Sequence, residues 1–184
     1  MSKKDFFKAF FTSRKVTGSV VPSSRFLTGK MLETVDFGSA RCIVELGPGT
    51  GVFTKEILKR MQPDAKLLVV ELNDTFVDNL KQLIDDPRVV IIHGSAENIG
   101  EYIREQGFER ADFIISSLPL TTIPQEIRQS ILKKAYEFLK VGGQFIQFQY
   151  SMHQRKNLKQ LYRKLELAYT PLNFPPAFVY RCTK

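Results

Sequence analysis

The sequence predicts an α/β domain built on a mostly parallel β-sheet with helices on both faces. Five short apolar runs rich in Val, Ile and Phe follow one another from residue 42 onward, and each is typical of a buried strand: "CIVEL", "KLLVVEL", "RVVIIH", "DFIISS" and "QFIQFQY". A helix-like segment separates each run from the next. This alternation is typical of parallel strands that are joined by right-handed crossovers.

The elements can be placed in chain order from the same pattern. Helices are predicted between the strands at 52–61, 74–85, 98–106 and 124–139. One more helix, at about 153–164, follows the fifth strand. The tail "LELAYTPLNFPPAFVYRC" is predicted to form two strands joined through "TPLNFPP", because proline fits a turn or an edge better than a central strand.

The first 35 residues do not share the alternation. "KDFFKAFF" predicts a helix with four phenylalanines on one face and lysines along its edge; the residues are Phe6, Phe7, Phe10, Phe11, Lys4, Lys8 and Lys15. A second helix is predicted at about 24–35, with Ser23 or Ser24 as its N-cap. The chain thus divides into an amphipathic and basic helical extension, 1–35, and an α/β domain, 36–184. The phenylalanines predict either a membrane contact or packing as a lid or dimer contact.

The composition restricts the compartment and the partners. A net charge of +8 and a sequence pI near 9.5 favour an anionic partner, either nucleic acid or an anionic lipid surface. Basic residues crowd both the first 30 residues and the predicted helix near 153–164. The two cysteines, Cys42 and Cys182, lack metal-ligand spacing, and no metal site is expected. Without a secretory or membrane-spanning pattern, we expect a cytoplasmic protein.

A glycine-rich loop follows the first predicted strand. "VELGPGTGVF" joins a strand to a helix, which is the context of a nucleotide-binding loop. Gly47, Gly49 and Gly51 carry no side chains where the backbone must turn sharply and approach a ligand, and Pro48 lies between them. The helix that follows offers backbone N–H donors. The loop alone is also compatible with a tight β-α turn that binds nothing.

An acidic residue at the end of the next strand favours the ligand-binding interpretation. Glu71, followed by Leu72, closes "VVEL" twenty residues after Gly51, where a carboxylate can accept hydrogen bonds from both ribose hydroxyls. NAD, FAD and S-adenosylmethionine remain candidates. Glu45 and the "GPGTG" spacing favour S-adenosylmethionine, because loops for a pyrophosphate usually have the GxGxxG spacing.

With these elements the chain resembles the class I S-adenosylmethionine-dependent methyltransferases over about residues 40–184. The resemblance implies a Rossmann-like sheet of seven strands that ends in an antiparallel hairpin. It also implies that Glu45, Gly47, Pro48, Gly49 and Gly51 line the methionine part of the cofactor and that Glu71 and Leu72 hold the ribose. "HGSAENI" would lie beside the adenine through Ser95, Ala96 and Glu97. Many relatives have Asp where Ser95 stands.

The stretch "ISSLPLTTIP" follows the fourth predicted strand, and in this fold it would face the transferred methyl group. Adenine methyltransferases generally carry Asn or Asp, then Pro, then an aromatic residue at this loop, because a flat base must stack there. Here Ser117 and Leu120 occupy these positions. In the order "VVPSS", "ELGPGTGVFT", "SSLPL" and "QFQY", the chain is similar to the bacterial phospholipid N-methyltransferases, which methylate phosphatidylethanolamine.

This resemblance implies a peripheral enzyme at the inner face of the membrane, with the N-terminal extension covering the active site. The acceptor would be phosphatidylethanolamine or its methylated derivatives. From their positions in the loop with Leu118, the oxygens of Ser116 and Ser117 and the carbonyl beside Pro119 would hold the amine. Tyr150 would either face the methylammonium or cap the core. Ser23, Ser24 and Arg25, at the start of a predicted helix, would bind the headgroup. Two alternatives stay open: an adenine N-methyltransferase of ribosomal RNA or other nucleic acid, and a cofactor-binding protein without catalysis.

Overall fold

The computed structural model describes residues 25–184, and it contains seven strands and six α-helices within that range. The phenylalanine-rich helix predicted near the start and the serines Ser23 and Ser24 lie outside the described residues. The elements are α1 (Arg25–Leu32), β1 (Cys42–Leu46), α2 (Val52–Arg60), β2 (Lys66–Glu71), α3 (Asp74–Leu83), β3 (Val89–His93), a 3₁₀ helix (Ala96–Asn98), α4 (Ile99–Glu105), β4 (Ala111–Ser116), α5 (Gln125–Glu137), β5 (Leu139–Gln149), α6 (Arg155–Leu161), β6 (Lys164–Thr170) and β7 (Ala177–Thr183).

The strands form one sheet in the order β3-β2-β1-β4-β5-β7-β6. The first five are parallel, and β7 is antiparallel to both of its neighbours. This arrangement confirms the predicted α/β class, the seven-stranded Rossmann-like sheet and the C-terminal hairpin. The connections after β1 and β4 leave in opposite directions, so a crevice opens at the carboxyl ends of these strands, where ligands bind in open α/β sheets.

The sheet buries an apolar layer on each face. Helices α1, α2 and α3 cover one face, and α4, α5 and α6 cover the other. Ile57 of α2 and Ile131 of α5 are each within 2% of full burial, and a buried residue of this size contributes roughly 1.5–3 kcal/mol of transfer free energy. Cys42 and Cys182 are buried in the second layer as small apolar residues. The two layers fix the strand ends that carry the polar residues.

Helix α1 packs along β5 and β7, although the sequence pattern groups it with the N-terminal extension. It is shorter than the predicted segment 24–35. Thr34, just beyond its end, donates a 2.7 Å hydrogen bond to Gln144 in β5, and Arg181 of β7 donates to the Lys30 carbonyl at 2.9 Å. Arg181 also pairs with Glu33. From Lys30 to Thr34 the chain moves toward the start of β5, so α1 is antiparallel to β5. Arg25, the first residue of α1, therefore lies nearer the edge where β5 ends.

Candidate active site

The loop between β1 and α2 has a backbone that requires glycine. Gly47, Gly49 and Gly51 adopt φ angles of 70°, 57° and 77°, all in the left-handed region. Two of these glycines also lack space for a side chain. A Cβ atom on Gly47 would lie 2.8 Å from a methyl carbon of Leu118, and one on Gly51 would lie 2.9 Å from a methyl carbon of Leu80. Gly47 therefore brings the loop backbone against the loop after β4, and Gly51 brings it against α3.

Glu45 places a carboxyl group beneath this loop. Its side chain is fully buried in β1, and its Oε2 atom accepts a 2.7 Å hydrogen bond from Thr54 Oγ1 in α2. Its Oε1 atom has no partner among the described residues. Burial raises the pKa of Glu45 to about 8, and the neighbouring Glu71 carboxyl adds to the rise while Thr54 opposes it. A cationic group that reached Oε1 would stabilise the ionised form.

Glu71 ends β2 with a carboxylate that binds three backbone N–H groups. Its Oε1 atom accepts from Leu72 at 2.8 Å and from Asn73 at 2.9 Å, and its Oε2 atom accepts a longer 3.4 Å bond from Gly49. Burial raises the pKa of Glu71, and these backbone hydrogen bonds lower it in part. The carboxylate thus joins the loop after β2 to the glycine-rich loop, and Oε2 is its less tightly held oxygen.

A narrow crevice at the carboxyl ends of β1, β2 and β3 brings many of the predicted cofactor residues together. It is lined by Gly47, Val70, Glu71, Leu72, Gly94, Ser95, Ala96, Leu118 and Ile131. The Ser95 hydroxyl accepts a 3.2 Å hydrogen bond from the Glu97 N–H and so caps the 3₁₀ helix. Sequence reasoning missed Gly94, where a Cβ atom would lie 2.1 Å from the Tyr102 hydroxyl oxygen.

The loop after β4 uses most of its polar atoms to hold its own shape. Ser116 is fully buried, and its hydroxyl accepts a 3.3 Å bond from the Leu118 N–H. The Pro119 carbonyl accepts from the N–H and the hydroxyl of Thr122, both at 2.9 Å. The Ser117 N–H donates to the Leu46 carbonyl at 2.9 Å, whereas the buried Ser117 hydroxyl has no partner among residues 25–184. Ser117 therefore offers an uncommitted polar atom at this strand end.

Two buried glutamines of β5 hold the carbonyl that precedes Pro119. Gln147 and Gln149 each donate a side-chain N–H to the Leu118 carbonyl at 3.0 Å. A carbonyl oxygen has two lone pairs, so this one is saturated and does not remain free for a substrate amine. The sequence analysis expected the carbonyl beside Pro119 to hold that amine, and it quoted both glutamines within "QFQY" without assigning them a role. Their period-two spacing in an apolar strand was the available signal.

Tyr150 follows β5 and lies at the surface. Its side chain is 47% exposed, and its ring meets Phe148 edge-on with centroids 5.7 Å apart. Phe148 in turn contacts Phe53 of α2 at 6.1 Å. The ring is therefore held at the edge where β1, β4 and β5 end, and it does not cap the core.

These observations agree with the comparison to known protein families. Residues 43–143, from the start of β1 to the first half of β5, match the family described as "Methyltransferase domain". The chain belongs to this methyltransferase family. The match contains the glycine-rich loop, Glu71, the crevice and the β4 loop.

Curated relatives of this methyltransferase include lipid and RNA enzymes. It is 28% identical to the ornithine lipid N-methyltransferase of Singulisphaera acidiphila over 184 residues, which cover 97% of this chain and 96% of that protein. It is 29% identical to the ribosomal RNA small subunit methyltransferase A of Mycoplasma mycoides over 109 residues, 58% of this chain and 40% of that protein. The second likeness thus spans less than half of the RNA enzyme.

Solved structures support the same fold. A precorrin-6y C5,15-methyltransferase from Geobacter metallireducens superposes with a TM-score of 0.71 at 13% identity, covering 90% of this chain and 93% of that one. The N-methyltransferase NodS from Bradyrhizobium japonicum gives a TM-score of 0.65 at 12% identity, covering 85% and 93%. At this identity the likeness concerns the fold alone.

The methyltransferase uses S-adenosylmethionine, and its residues fit this cofactor. Glu45 Oε1 is a buried acceptor without a partner in the described chain, which suits the cofactor's ammonium group. Glu71 Oε2, with its longer hydrogen bond, suits a ribose hydroxyl. The glycine loop supplies a close backbone surface between them. When bound, the cofactor supplies an electrophilic methyl group on sulfur.

The raised pKa of Glu45 predicts a pH-dependent stability for the cofactor-free protein. The folded protein keeps a proton up to a pH of about 8, whereas the unfolded chain releases it near the ordinary value of 4.5. Folding stability should therefore fall as the pH rises through this window. The substitution Glu45→Gln should reduce this fall in the free energy of unfolding by on the order of 1 kcal/mol or more.

Urea unfolding at about pH 5 and about pH 8 measures this effect, with Glu101→Gln on the exposed face of α4 as a control. Glu71 contributes in the same direction in all three proteins. An equal loss of stability in wild type and Glu45→Gln would contradict the assignment of the titration to Glu45.

Proposed function

We propose that this methyltransferase transfers methyl groups to the amine of a membrane lipid, with phosphatidylethanolamine as the acceptor. The observation that carries the proposal is the likeness to a lipid N-methyltransferase over nearly the full length of both chains. Because that relative is named for ornithine lipid, an ornithine lipid amine is a second candidate acceptor. The proposal also places the protein at the inner face of the membrane, as a peripheral and cytoplasmic enzyme.

The β4 loop supports an aliphatic amine rather than a nucleobase. The position where adenine methyltransferases carry an aromatic residue is occupied by Leu120, and this side chain is fully buried in the core. A base would find no aromatic ring from this loop on which to stack. RNA adenine remains the alternative acceptor, supported by the net charge of +8 and by the weaker likeness to ribosomal RNA methyltransferases.

The residues of this chain would mainly position the acceptor. Methyl transfer requires a neutral amine in line with the methyl group, so orientation and exclusion of water contribute most of the rate. We assign Ser117 Oγ, the uncommitted polar atom of the loop, as the acceptor of an amine N–H. Ser116, Leu118 and Pro119 shape the loop that presents it. The half-exposed ring of Tyr150 would face the methylammonium product through a cation–π contact.

Arg25 is our choice for the anionic part of the headgroup. It is exposed at the N-terminal end of α1, which is directed toward the edge where β5 ends, and its guanidinium lies 5.3 Å from the Phe26 ring centroid. An arginine at this place can bind phosphate through two parallel hydrogen bonds. Ser23 and Ser24 would extend this headgroup site.

The N-terminal segment would anchor the enzyme to the membrane. Its phenylalanines and lysines form the pattern of an interfacial helix, whose apolar face enters the headgroup boundary while its lysines meet anionic lipid. The helices of residues 25–184 include none that is long and apolar enough to cross a bilayer.

Transfer of labelled methyl groups to competing acceptors tests the proposed function. The acceptors are vesicles of phosphatidylethanolamine with phosphatidylglycerol, the same vesicles with ornithine lipid in place of phosphatidylethanolamine, and unmodified small-subunit ribosomal RNA. We expect label in the phosphatidylethanolamine vesicles. Label confined to ornithine lipid would correct the acceptor, and label confined to RNA would overturn the lipid proposal.

The substitution Ser117→Ala tests the proposed amine contact. Loss of a hydrogen bond to an amine that gains positive charge during methyl transfer should lower kcat about 10- to 100-fold. Cofactor affinity should stay unchanged because Ser117 does not line the candidate cofactor crevice. Thr121→Ala, an exposed position in the same loop, is the matched control. Steady-state kinetics and calorimetric cofactor titration give the two quantities, and an unchanged kcat would remove Ser117 from the mechanism.

Deletion of residues 1–15 tests the anchor. We expect the shortened protein to float with anionic vesicles at least about tenfold less than the full chain, because both the apolar face and the lysines are removed. Binding equal to that of the full chain would assign the phenylalanines to a lid or a dimer contact instead.

A further inference from the structure

Exposed apolar side chains of two loops lie at the edge of the sheet where β5 ends. Met152, in the loop after β5, is 51% exposed, and Leu172 and Phe174, in the turn between β6 and β7, are 66% and 85% exposed. The turn lies at this edge because β7 begins beside the end of β5, where Phe178 pairs with Gln149. Two separate loops therefore present large apolar groups beside the candidate active site.

The backbone of both loops is fixed by buried polar contacts. Asn173 is only 4% exposed although it lies between Leu172 and Phe174, and its side-chain amide donates a 2.7 Å hydrogen bond to the Pro175 carbonyl. In the other loop, the Tyr180 hydroxyl donates to the Ser151 carbonyl at 3.1 Å. The backbone that carries these apolar groups is therefore held in place, and their exposure is a feature of the fold.

Basic residues flank these apolar groups. Helix α6 follows the β5 loop directly and exposes Arg155, Lys156 and Lys159, while its Leu158 is buried against the domain. None of the three forms an ion pair with an acidic residue of the described chain. The sequence from Tyr150 to Arg163 contains no Asp or Glu. The local charge is therefore uniformly positive.

We propose that Met152, Leu172 and Phe174, together with Arg155, Lys156 and Lys159, form a docking surface for an anionic lipid bilayer. The apolar groups would enter the headgroup boundary, and the cations would meet anionic lipid, as in interfacial segments. Of the three apolar groups, Phe174 alone has an aromatic face on which a base could stack, and Met152 and Leu172 are aliphatic, so the composition favours lipid over RNA. The inference deepens the proposed lipid function and rests on it.

The docking surface would also orient the enzyme on the membrane for catalysis. An N-terminal anchor alone would hold the enzyme near the membrane without fixing which face meets it. A second contact on the strand ends of the sheet would turn the edge that bears Ser117 and Tyr150 toward the headgroups. The effective concentration of lipid amine at this edge would then rise.

Co-sedimentation of the full-length protein with vesicles of phosphatidylglycerol and phosphatidylethanolamine tests the surface. The variants are Phe174→Ser and, independently, Leu172→Ser, with Val141→Ser as a matched control because Val141 is 86% exposed at the opposite end of β5. Loss of one large apolar contact should weaken binding about tenfold for each variant and leave the control unchanged. A charge variant, Lys156→Glu with Lys159→Glu, should weaken binding further and remove much of its salt dependence.

A second readout separates this inference from the proposed function. Methyl transfer to phosphatidylethanolamine in vesicles should fall in both apolar variants, whereas transfer to the same lipid in detergent micelles should stay at the wild-type rate. Thermal unfolding of each variant verifies the fold. If the variants lose vesicle binding but wild type methylates no lipid, the docking surface stands and the lipid function fails.

Wild-type vesicle binding in both Phe174→Ser and Leu172→Ser would overturn the docking surface, even with lipid methylation intact. The same holds if the substitutions leave vesicle binding unchanged but abolish binding of ribosomal RNA, or convert a dimer to a monomer in size-exclusion chromatography. These outcomes would assign the surface to RNA or to a second copy of the chain.

Discussion

The active site depends on one contact, the clamp that the side chains of Gln147 and Gln149 form on the Leu118 carbonyl. Two glutamine side chains of β5 hold this carbonyl, and the Leu118 side chain packs where a Cβ atom of Gly47 would otherwise lie. One residue thereby couples the glycine-rich loop after β1, the loop after β4 and the strand β5. Since both lone pairs of the carbonyl are occupied, the proposed function assigns the polar contact with the acceptor amine to the Ser117 hydroxyl. Because Ser117 directly precedes Leu118, the clamp on Leu118 also fixes where that hydroxyl lies.

The acidic residues give the candidate cofactor site two parts with different electrostatics. Glu45 is fully buried and has an acceptor atom without a partner in the described chain, so a cation would compensate its charge. Glu71 is satisfied largely by backbone N–H groups and suits neutral hydroxyls. The glycine loop lies between the two carboxyl groups. This division suits a ligand that is cationic at one end and carries a ribose at the other.

Much of the fold was predictable because its signals are local. The apolar runs, the three glycines and the prolines of the last turn specify strands, loop and hairpin through sequence neighbours alone. The clamp was not predictable in the same way, because Gln147 and Gln149 lie about thirty residues from the carbonyl they bind. The role of Ser116 likewise depends on a buried loop conformation. Helix α1 was expected to extend over 24–35, but it ends at Leu32, and its side contacts with β5 and β7 arise only in three dimensions.

The reversal of direction at β7 has a consequence for how such an enzyme can diversify. In an all-parallel sheet, each strand brings one connection to the reactive edge. Strand β6 is parallel to β5, so the β6–β7 connection also arrives there, on the side of the sheet away from β1, β2 and β3, which end at the candidate cofactor crevice. Because β7 runs against both of its neighbours, this connection is a hairpin turn and not a crossover. Insertions and substitutions in this turn can therefore change what the edge recognises while the cofactor site is left intact. A change of recognition by this route would require no additional domain.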